Sequence, residues 1–97
     1  MKVIFHPEAS EEKLESARFY ETRVEGLGAD FLDAVQQATD RILQSPKAAP
    51  IERADIRRRL VGGFPFSILY HAGDDKIFVV ALMHQHRRPG YWRKRLE

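Results

Sequence analysis

The 97-residue sequence contains no cysteine and only one tryptophan. Without thiols the chain can form neither disulfides nor thiolate metal sites, and a reducing cytoplasm is the expected location. The apolar residues 3–5 give way at once to His6 and Pro7, too soon for the apolar region of a signal peptide. No stretch approaches the roughly 18 apolar residues of a transmembrane helix. We therefore expect a cytoplasmic protein that binds no membrane.

A large excess of one charge is also lacking, since the net charge is only +2, but the two signs are unevenly distributed. Residues 1–50 carry six Lys or Arg against nine Asp or Glu, whereas residues 51–97 carry ten against five. Length and composition fit one folded domain over residues 1–97. An acidic and a basic half within one domain favour a face that binds a polyanion or an acidic protein. Charges that merely solvate the surface explain the pattern equally well.

The first half of the chain predicts a short strand and two helices. Residues 2–5 are a β-type run, and Pro7 suits the first position of a helix that ends near residue 25. Its apolar stripe consists of Leu14, Ala17, Tyr20 and Val24. The second stripe consists of Phe31, Val35, Ala38 and Ile42, and Pro46 ends that helix. Joined by the sequence EGLG, the two helices are expected to form an antiparallel hairpin.

The second half switches to strand periodicity after a polar connector at residues 47–55. Strands are predicted at 56–61, 66–70 and 76–84, with glycine-containing turns between them. Residues 77–83 are apolar at every position, so this strand is expected to be central and covered on both faces. Each helix stripe needs a sheet face. The order βααβββ therefore predicts a two-layer α+β domain.

The sequence LMHQHRRPGYW at residues 82–92 follows that central strand. His84 and His86 lie two apart and would point the same way from an extended strand, as a pair of metal ligands does. A metal site needs a third ligand, often a carboxylate or another histidine. No Asp or Glu lies nearby in sequence, and His6 and His71 could serve only if the fold brought them close. We therefore expect no metal and no cofactor.

Cations crowd the same region. Alternation places Arg57 and Arg59 on one face of their strand and Arg58 on the other, and we expect the first two to lie beside the C-terminal segment. The candidate residues for binding a target or a nucleic acid are Arg57, Arg59, His84, His86, Arg87, Arg88, Tyr91, Trp92 and Arg93. Arginine binds phosphate bidentately and aromatic rings stack on unpaired bases, so single-stranded RNA is a plausible ligand. The same residue types also anchor protein interfaces.

RNA cleavage without metal is a second interpretation of these residues. It requires a base for the 2′-hydroxyl proton, a cation for the developing phosphorane charge and an acid for the leaving oxygen. His84 or His86 could serve as base or acid, and Arg59, Arg87 and Arg88 could hold the phosphate. The sequence does not establish their geometry.

FPFSILY at residues 64–70 and IFVVALMHQHRRPGYW at 77–92, after a hairpin containing GLGADFLDAV, resemble the RelE/ParE superfamily of bacterial toxins. The resemblance implies a helical hairpin packed on a small twisted, mainly antiparallel sheet. It also implies growth inhibition, a role in plasmid stabilization, and a cognate antitoxin that wraps and neutralises the toxin in a hetero-oligomer. A homodimer is the other assembly considered.

The superfamily divides by activity. RelE-like members cut mRNA on the ribosome as mRNA interferases, whereas ParE-like members bind DNA gyrase without an enzymatic step. Carried over, a nuclease would use His84, His86, Arg88 and Tyr91 as its catalytic residues. Ser67, however, stands where RelE-like nucleases often carry an arginine that holds the scissile phosphate. A serine cannot supply that electrostatic stabilisation. The resemblance therefore favours a ParE-like toxin that binds gyrase, with a ribosome-dependent endonuclease as the alternative.

Overall fold

The computed structural model describes residues 1–97 and contains two helices, five strands and a terminal 3-10 turn. In chain order they are β1 (Lys2–Phe5), α1 (Pro7–Arg23), α2 (Leu27–Gln44), β2 (Ile51–Arg53), β3 (Ile56–Leu60), β4 (Phe66–Ala72), β5 (Lys76–His84) and the turn Arg93–Leu96. The helices form the predicted hairpin against one face of the sheet, which confirms the two-layer α+β class. Neither helix is long and apolar enough to cross a membrane.

The sheet has the strand order β1-β5-β4-β3-β2. β1 runs parallel to β5, and the other three pairs are antiparallel. β5 therefore lies inside the sheet, and residues 79–83 are buried, as the unbroken apolar run predicted. β2 lies in the segment predicted to be a connector. Its three side chains are all exposed, so no apolar alternation marks it, and a turn through Ala54 (φ 52°) joins it to β3.

The helical hairpin is closed by a glutamate. The two carboxylate oxygens of Glu21 accept the backbone N–H groups of Gly26 and Gly28, each at 2.9 Å, at the start of α2. Gly28 also permits close approach of the helices, because a Cβ there would lie 2.6 Å from the carbonyl oxygen of Ala17. The glycines in EGLG thus end the first helix, bind Glu21 through their N–H groups and, at Gly28, allow the two helices to lie close together.

Buried residues form one cluster on each face of the sheet. The larger cluster lies under the helices and includes all four residues of the α2 stripe. In α1, however, Ala9 and Ala17 are the buried residues, while Leu14 and Val24 are 46% and 58% exposed. The stripe predicted for α1 was therefore partly wrong, because small side chains bring this helix close to the sheet.

The second cluster lies on the opposite face of the sheet. It contains Ile56, Leu69, Val80, Ala81, Met83 and Trp92. No helix of the hairpin covers these residues. The C-terminal segment does so instead, which places residues 91 and 92 in a structural role.

Side chains satisfy the open half of β5. β1 pairs only with residues 76–79 of β5, so the following residues have no neighbouring strand on that side. There the N–H of Leu82 donates to Glu12 at 3.0 Å, and the carbonyl of Val80 accepts from Arg95 at 3.1 Å. An unpaired edge that would attract another strand is thus closed by two charged side chains.

Candidate functional site

The C-terminal segment leaves β5 through a tight turn and returns over the second face of the sheet. The N–H of Arg87 bonds to the carbonyl of His84 at 2.9 Å, and the N–H of Tyr91 to that of Arg88 at 3.2 Å. Gly90 supplies a positive φ of 76° at the point of return. Residues 85–89 are exposed, while Tyr91 and Trp92 pack on the second cluster. The turn therefore presents its histidine and arginines to solvent while the two aromatic residues hold it in place.

Glu12 of α1 is the centre of the contacts that hold this segment. Its carboxylate accepts the hydroxyl of Tyr91 and two guanidinium N–H groups of Arg95, both at 2.9 Å, besides the N–H of Leu82. Arg95 also lies 3.3 Å from Glu8. The Glu12 and Arg95 side chains are 17% and 8% exposed, so the pair is largely desolvated. These contacts bind the last residues of the chain to its first helix.

Tyr91 is committed to this structure rather than free to act on a ligand. Burial and the hydrogen bond to the Glu12 carboxylate raise the pKa of Tyr91 well above its ordinary value of 10. The guanidinium carbon of Arg87 lies 4.0 Å from the centroid of its ring, and that of Arg95 lies 5.0 Å away. A phenol that holds its proton this firmly is a poor general acid near neutral pH.

Trp92 is only 2% exposed. The expectation that its ring would stack on a ligand is therefore corrected, because the second face of the sheet needs an apolar cover and Trp92 supplies it. Its indole nitrogen is buried without a hydrogen-bond partner. Cations flank Trp92 in the sequence, which suggested a binding surface. In the fold, however, the neighbours of Trp92 are the apolar residues of the second cluster.

The two histidines of the turn differ in availability. His84 is half-buried, with its ring 5.0 Å from that of Phe66, and its Nδ1 accepts the backbone N–H of His86 at 3.0 Å. This contact occupies Nδ1 and leaves Nε2 of His84 as the ring nitrogen available to a ligand. His86 is exposed, with its ring 5.2 Å from that of His84.

The other two histidines do not complete a metal site. His6 caps α1 by accepting the N–H of Glu8, and His71 lies 3.1 Å from Asp55. Neither His6 nor His71 contacts the His84–His86 pair. No group of three or more His, Cys, Asp or Glu side chains is arranged to hold a metal ion.

Arg57 and Arg59 share a face, as strand alternation predicted, but it is the face that the helices cover. Arg57 donates to the carbonyls of Lys47 and Ala49 at 2.9 and 2.8 Å. The expectation that both lie beside the C-terminal segment is thus wrong, because the segment returns over the opposite face. Arg57 instead holds the loop that follows α2, and Arg59 borders that loop.

Arg58 projects from β3 onto the same face as the C-terminal segment. Its Nε donates to the hydroxyl of Ser67 at 3.0 Å, and its Nη1 lies 3.5 Å from Glu52. Ser67 is 2% exposed, so its hydroxyl is taken up inside the protein. β3 thus places the guanidinium of Arg58 next to Ser67, the position where RelE-like nucleases often carry an arginine. Glu52 partly neutralises the charge of that guanidinium.

Four cations remain around the return of the chain. Arg88, Arg93 and Lys94 border a cavity of about 580 Å³ with Gly90, and Arg53 lies close by, since a Cβ on Gly90 would be 3.2 Å from its Nη1. None of the four forms an ion pair. We call this set, Arg53, Arg88, Arg93 and Lys94, the C-terminal basic surface. It is suited to bind an anionic or acidic partner.

The sequence did not single out Arg53, Arg58 or Glu12 as part of this region. Arg53 belongs to the strand that periodicity missed. Glu12 looks like an ordinary acidic residue near the start of a helix, and its partners lie 70 to 83 residues away along the chain. No local pattern marks contacts at that separation.

The chain thus combines a helical hairpin, a five-stranded sheet and a basic C-terminus that folds back over the sheet. The family model described as the ParE toxin of type II toxin–antitoxin system, parDE, matches residues 3–89. The chain therefore belongs to the ParE toxin family, and the predicted ParE branch of the RelE/ParE superfamily is confirmed.

One similar solved structure is a chain of the chromosomal ParDE toxin–antitoxin system from P. aeruginosa. It is 17% identical, with a TM-score of 0.59, over 87% of this chain and 95% of that chain. At this identity the likeness shows the fold. A search of the curated proteins finds no match to this chain.

Proposed function

We propose that this chain is a growth-inhibiting toxin of the cytoplasm that acts by binding DNA gyrase and is neutralised by a cognate antitoxin. Membership of the ParE toxin family supports the toxin class. The observation that carries the mode of action is that two of the groups a nuclease would use are already engaged by other groups of the protein. Nδ1 of His84 accepts a backbone N–H, and Tyr91 donates to Glu12.

Binding a target requires an exposed complementary surface but no catalytic groups, and the chain has such a surface. The C-terminal basic surface is exposed and unpaired, and three of its four residues, Arg88, Arg93 and Lys94, lie in the C-terminal segment that Glu12 and Trp92 anchor. A rigidly held cationic turn loses little conformational entropy on association and steers toward acidic or DNA-bearing partners. Gyrase bound to DNA presents the phosphate backbone of that DNA.

A ribosome-dependent mRNA endonuclease is the second candidate, and His86 is the observation that favours it. This histidine is exposed, has no hydrogen bond from its ring and lies beside the exposed Arg87 and Arg88. It could act as a general acid or base while the arginines hold a phosphate. With Tyr91 engaged by Glu12, the partner acid would have to be His84 acting through Nε2.

One induction experiment separates the two candidates. After the chain is expressed from a tight promoter, DNA breaks trapped on gyrase and cuts in a translated message are measured in the same culture. We expect growth to stop, gyrase-linked breaks to accumulate and the message to remain intact. Codon-linked cuts without DNA breaks would replace the proposal with the nuclease. Unimpaired growth at a verified protein level would contradict both.

A further inference from the structure

The sheet has a second open edge that the fold leaves unsatisfied. β2 pairs with β3 only at Ile56 and Arg57, and the N–H of Arg58 then reaches the carbonyl of Pro50 at 3.0 Å. Val61 donates to Phe66 across the sheet, so the backbone of Leu60, one residue earlier, points outward. Neither Leu60 nor Gly62 has a hydrogen-bond partner on that side. This contrasts with β5, whose free half is closed by Glu12 and Arg95.

Cations border this open edge. A groove of about 540 Å³ runs along it, lined by Arg41, Ala48, Ala49, Pro50, Arg58, Arg59, Leu60 and Gly62. Arg41, from the last turn of α2, and Arg59 form no ion pair, and the Nε of Arg59 is buried without a hydrogen-bond partner. Leu60 is 68% exposed, the largest exposed fraction among the big apolar side chains. We call this feature the β3-edge groove.

Three properties identify the occupant. Unpaired backbone groups on a strand edge pair with another extended peptide, which nucleic acid cannot replace. Unpaired arginines favour carboxylates on that peptide. A second copy of this chain is disfavoured, because pairing β3 with β3 would bring Arg58, Arg59 and Arg41 against their own copies.

We propose that the β3-edge groove binds an extended acidic segment of the antitoxin as a sixth strand of the sheet; this inference rests on the toxin–antitoxin function proposed above. Side chains of an added strand alternate between the two faces. On the helix side, acidic residues reach Arg59 and Arg41. On the other side, an apolar residue covers Leu60. The segment is therefore one in which acidic and apolar residues alternate.

The test uses a fluorescently labelled peptide of about eight residues, a length that fills a strand, with alternating Glu and Val. Leu60→Pro removes the outward N–H, which the fold does not use, and proline is tolerated at such edge positions. We expect it to weaken peptide binding about fivefold, the value of one hydrogen bond. Arg59→Gln should weaken it about tenfold, as loss of a charged hydrogen bond does.

Matched controls define the result. Leu60→Val keeps the N–H, and Arg18→Gln removes an exposed arginine of α1, so both should bind the peptide as wild type does. Circular dichroism checks that each variant is folded. If Leu60→Pro does not fold, Arg59→Gln combined with Arg41→Gln carries the test alone. Equal binding by that double variant, or by a folded Leu60→Pro, would overturn the proposal, as would equal binding of a Lys and Val peptide.

Nucleic acid is the other outcome to be distinguished. If an oligothymidylate of matched charge binds more tightly, with dependence on Arg59 but not on the N–H of Leu60, the groove is a phosphate site and the proposal fails. Peptide binding does not require toxicity. A chain that stops growth but ignores the peptide therefore loses the docking site alone. A chain that binds the peptide and spares growth loses the proposed function while keeping an acidic-strand site.

Discussion

Glu12 and Arg95, 83 residues apart, form a two-point ion pair in which Nη1 and Nη2 each lie 2.9 Å from a different carboxylate oxygen. Bidentate arginine–carboxylate pairs are among the stronger polar contacts in proteins, and this one is mostly shielded from water. It joins the first helix to the last turn and closes the open half of β5. The C-terminal basic surface depends on it for its position.

Replacing Glu12 should therefore cost stability. Glu12→Gln leaves the largely buried Arg95 with only the more exposed Glu8 as a counter-ion, and breaking a buried pair from one side costs about 3 kcal/mol. We expect the free energy of unfolding in urea to fall by about that amount. Glu15→Gln, on the exposed side of the same helix, is the control and should change it by less than about 0.5 kcal/mol. Similar losses of unfolding free energy for both variants would show that the Glu12–Arg95 pair stabilises the fold no more than an exposed glutamate does.

Trp92 offers a direct view of the C-terminal segment, because it is the only tryptophan. Buried against the second face of the sheet, it should emit as an indole in an apolar environment and resist quenching by acrylamide. In Glu12→Ala, which removes the anchor of Tyr91 and Arg95, we expect quenching to increase while the helical signal persists. Ready quenching of Trp92 in the wild-type chain would mean that the segment does not lie where the structure has it.

Glu21 should make the stability of the helical hairpin depend on pH. Hydrogen bonds from Gly26 and Gly28 hold the pKa of Glu21 below its ordinary value of 4.5. The contribution of Glu21 is therefore fully present above pH 4.5 and is lost as the pH falls through the lower, folded-state pKa. Urea unfolding between neutral pH and pH 3 should show a smaller acid loss in Glu21→Gln. Glu25→Gln, in the same connection, should follow wild type; the reverse ranking would contradict the cap.

Growth inhibition should depend on the arginines of the turn and not on its histidines. His84→Gln combined with His86→Gln removes both candidate proton carriers, yet a toxin that acts by binding keeps its activity. Arg88→Gln combined with Arg93→Gln removes two cations of the C-terminal basic surface and should reduce inhibition strongly. Colony counts after induction, at equal protein levels, measure both. Loss of inhibition in the histidine variant alone would favour the nuclease.

The parts of this fold that were predictable are those carried by local periodicity. The α2 stripe and the unbroken apolar run of β5 each determine an element and its burial. β2 was missed, because three exposed residues show no alternation. Alternation correctly paired Arg57 with Arg59, but it cannot say which face of a strand the helices will cover.

The candidate site was less predictable than the fold. Trp92 was assigned to a surface because cations flank it in sequence, whereas the second sheet face draws it inward. Glu12 and Arg53 reach the C-terminal segment only through the tertiary fold. Arg88 and Arg93, which the sequence did indicate, lie on the exposed part of the turn. Their role in binding stays a prediction.

The most direct measurement of the central claim is supercoiling of relaxed plasmid by purified gyrase in the presence of the purified chain. The account predicts that excess chain inhibits supercoiling and accumulates cleaved DNA, and that Arg88→Gln with Arg93→Gln does so far less. Supercoiling that continues unchanged at high excess of folded wild-type chain, with no cleaved DNA, would contradict it.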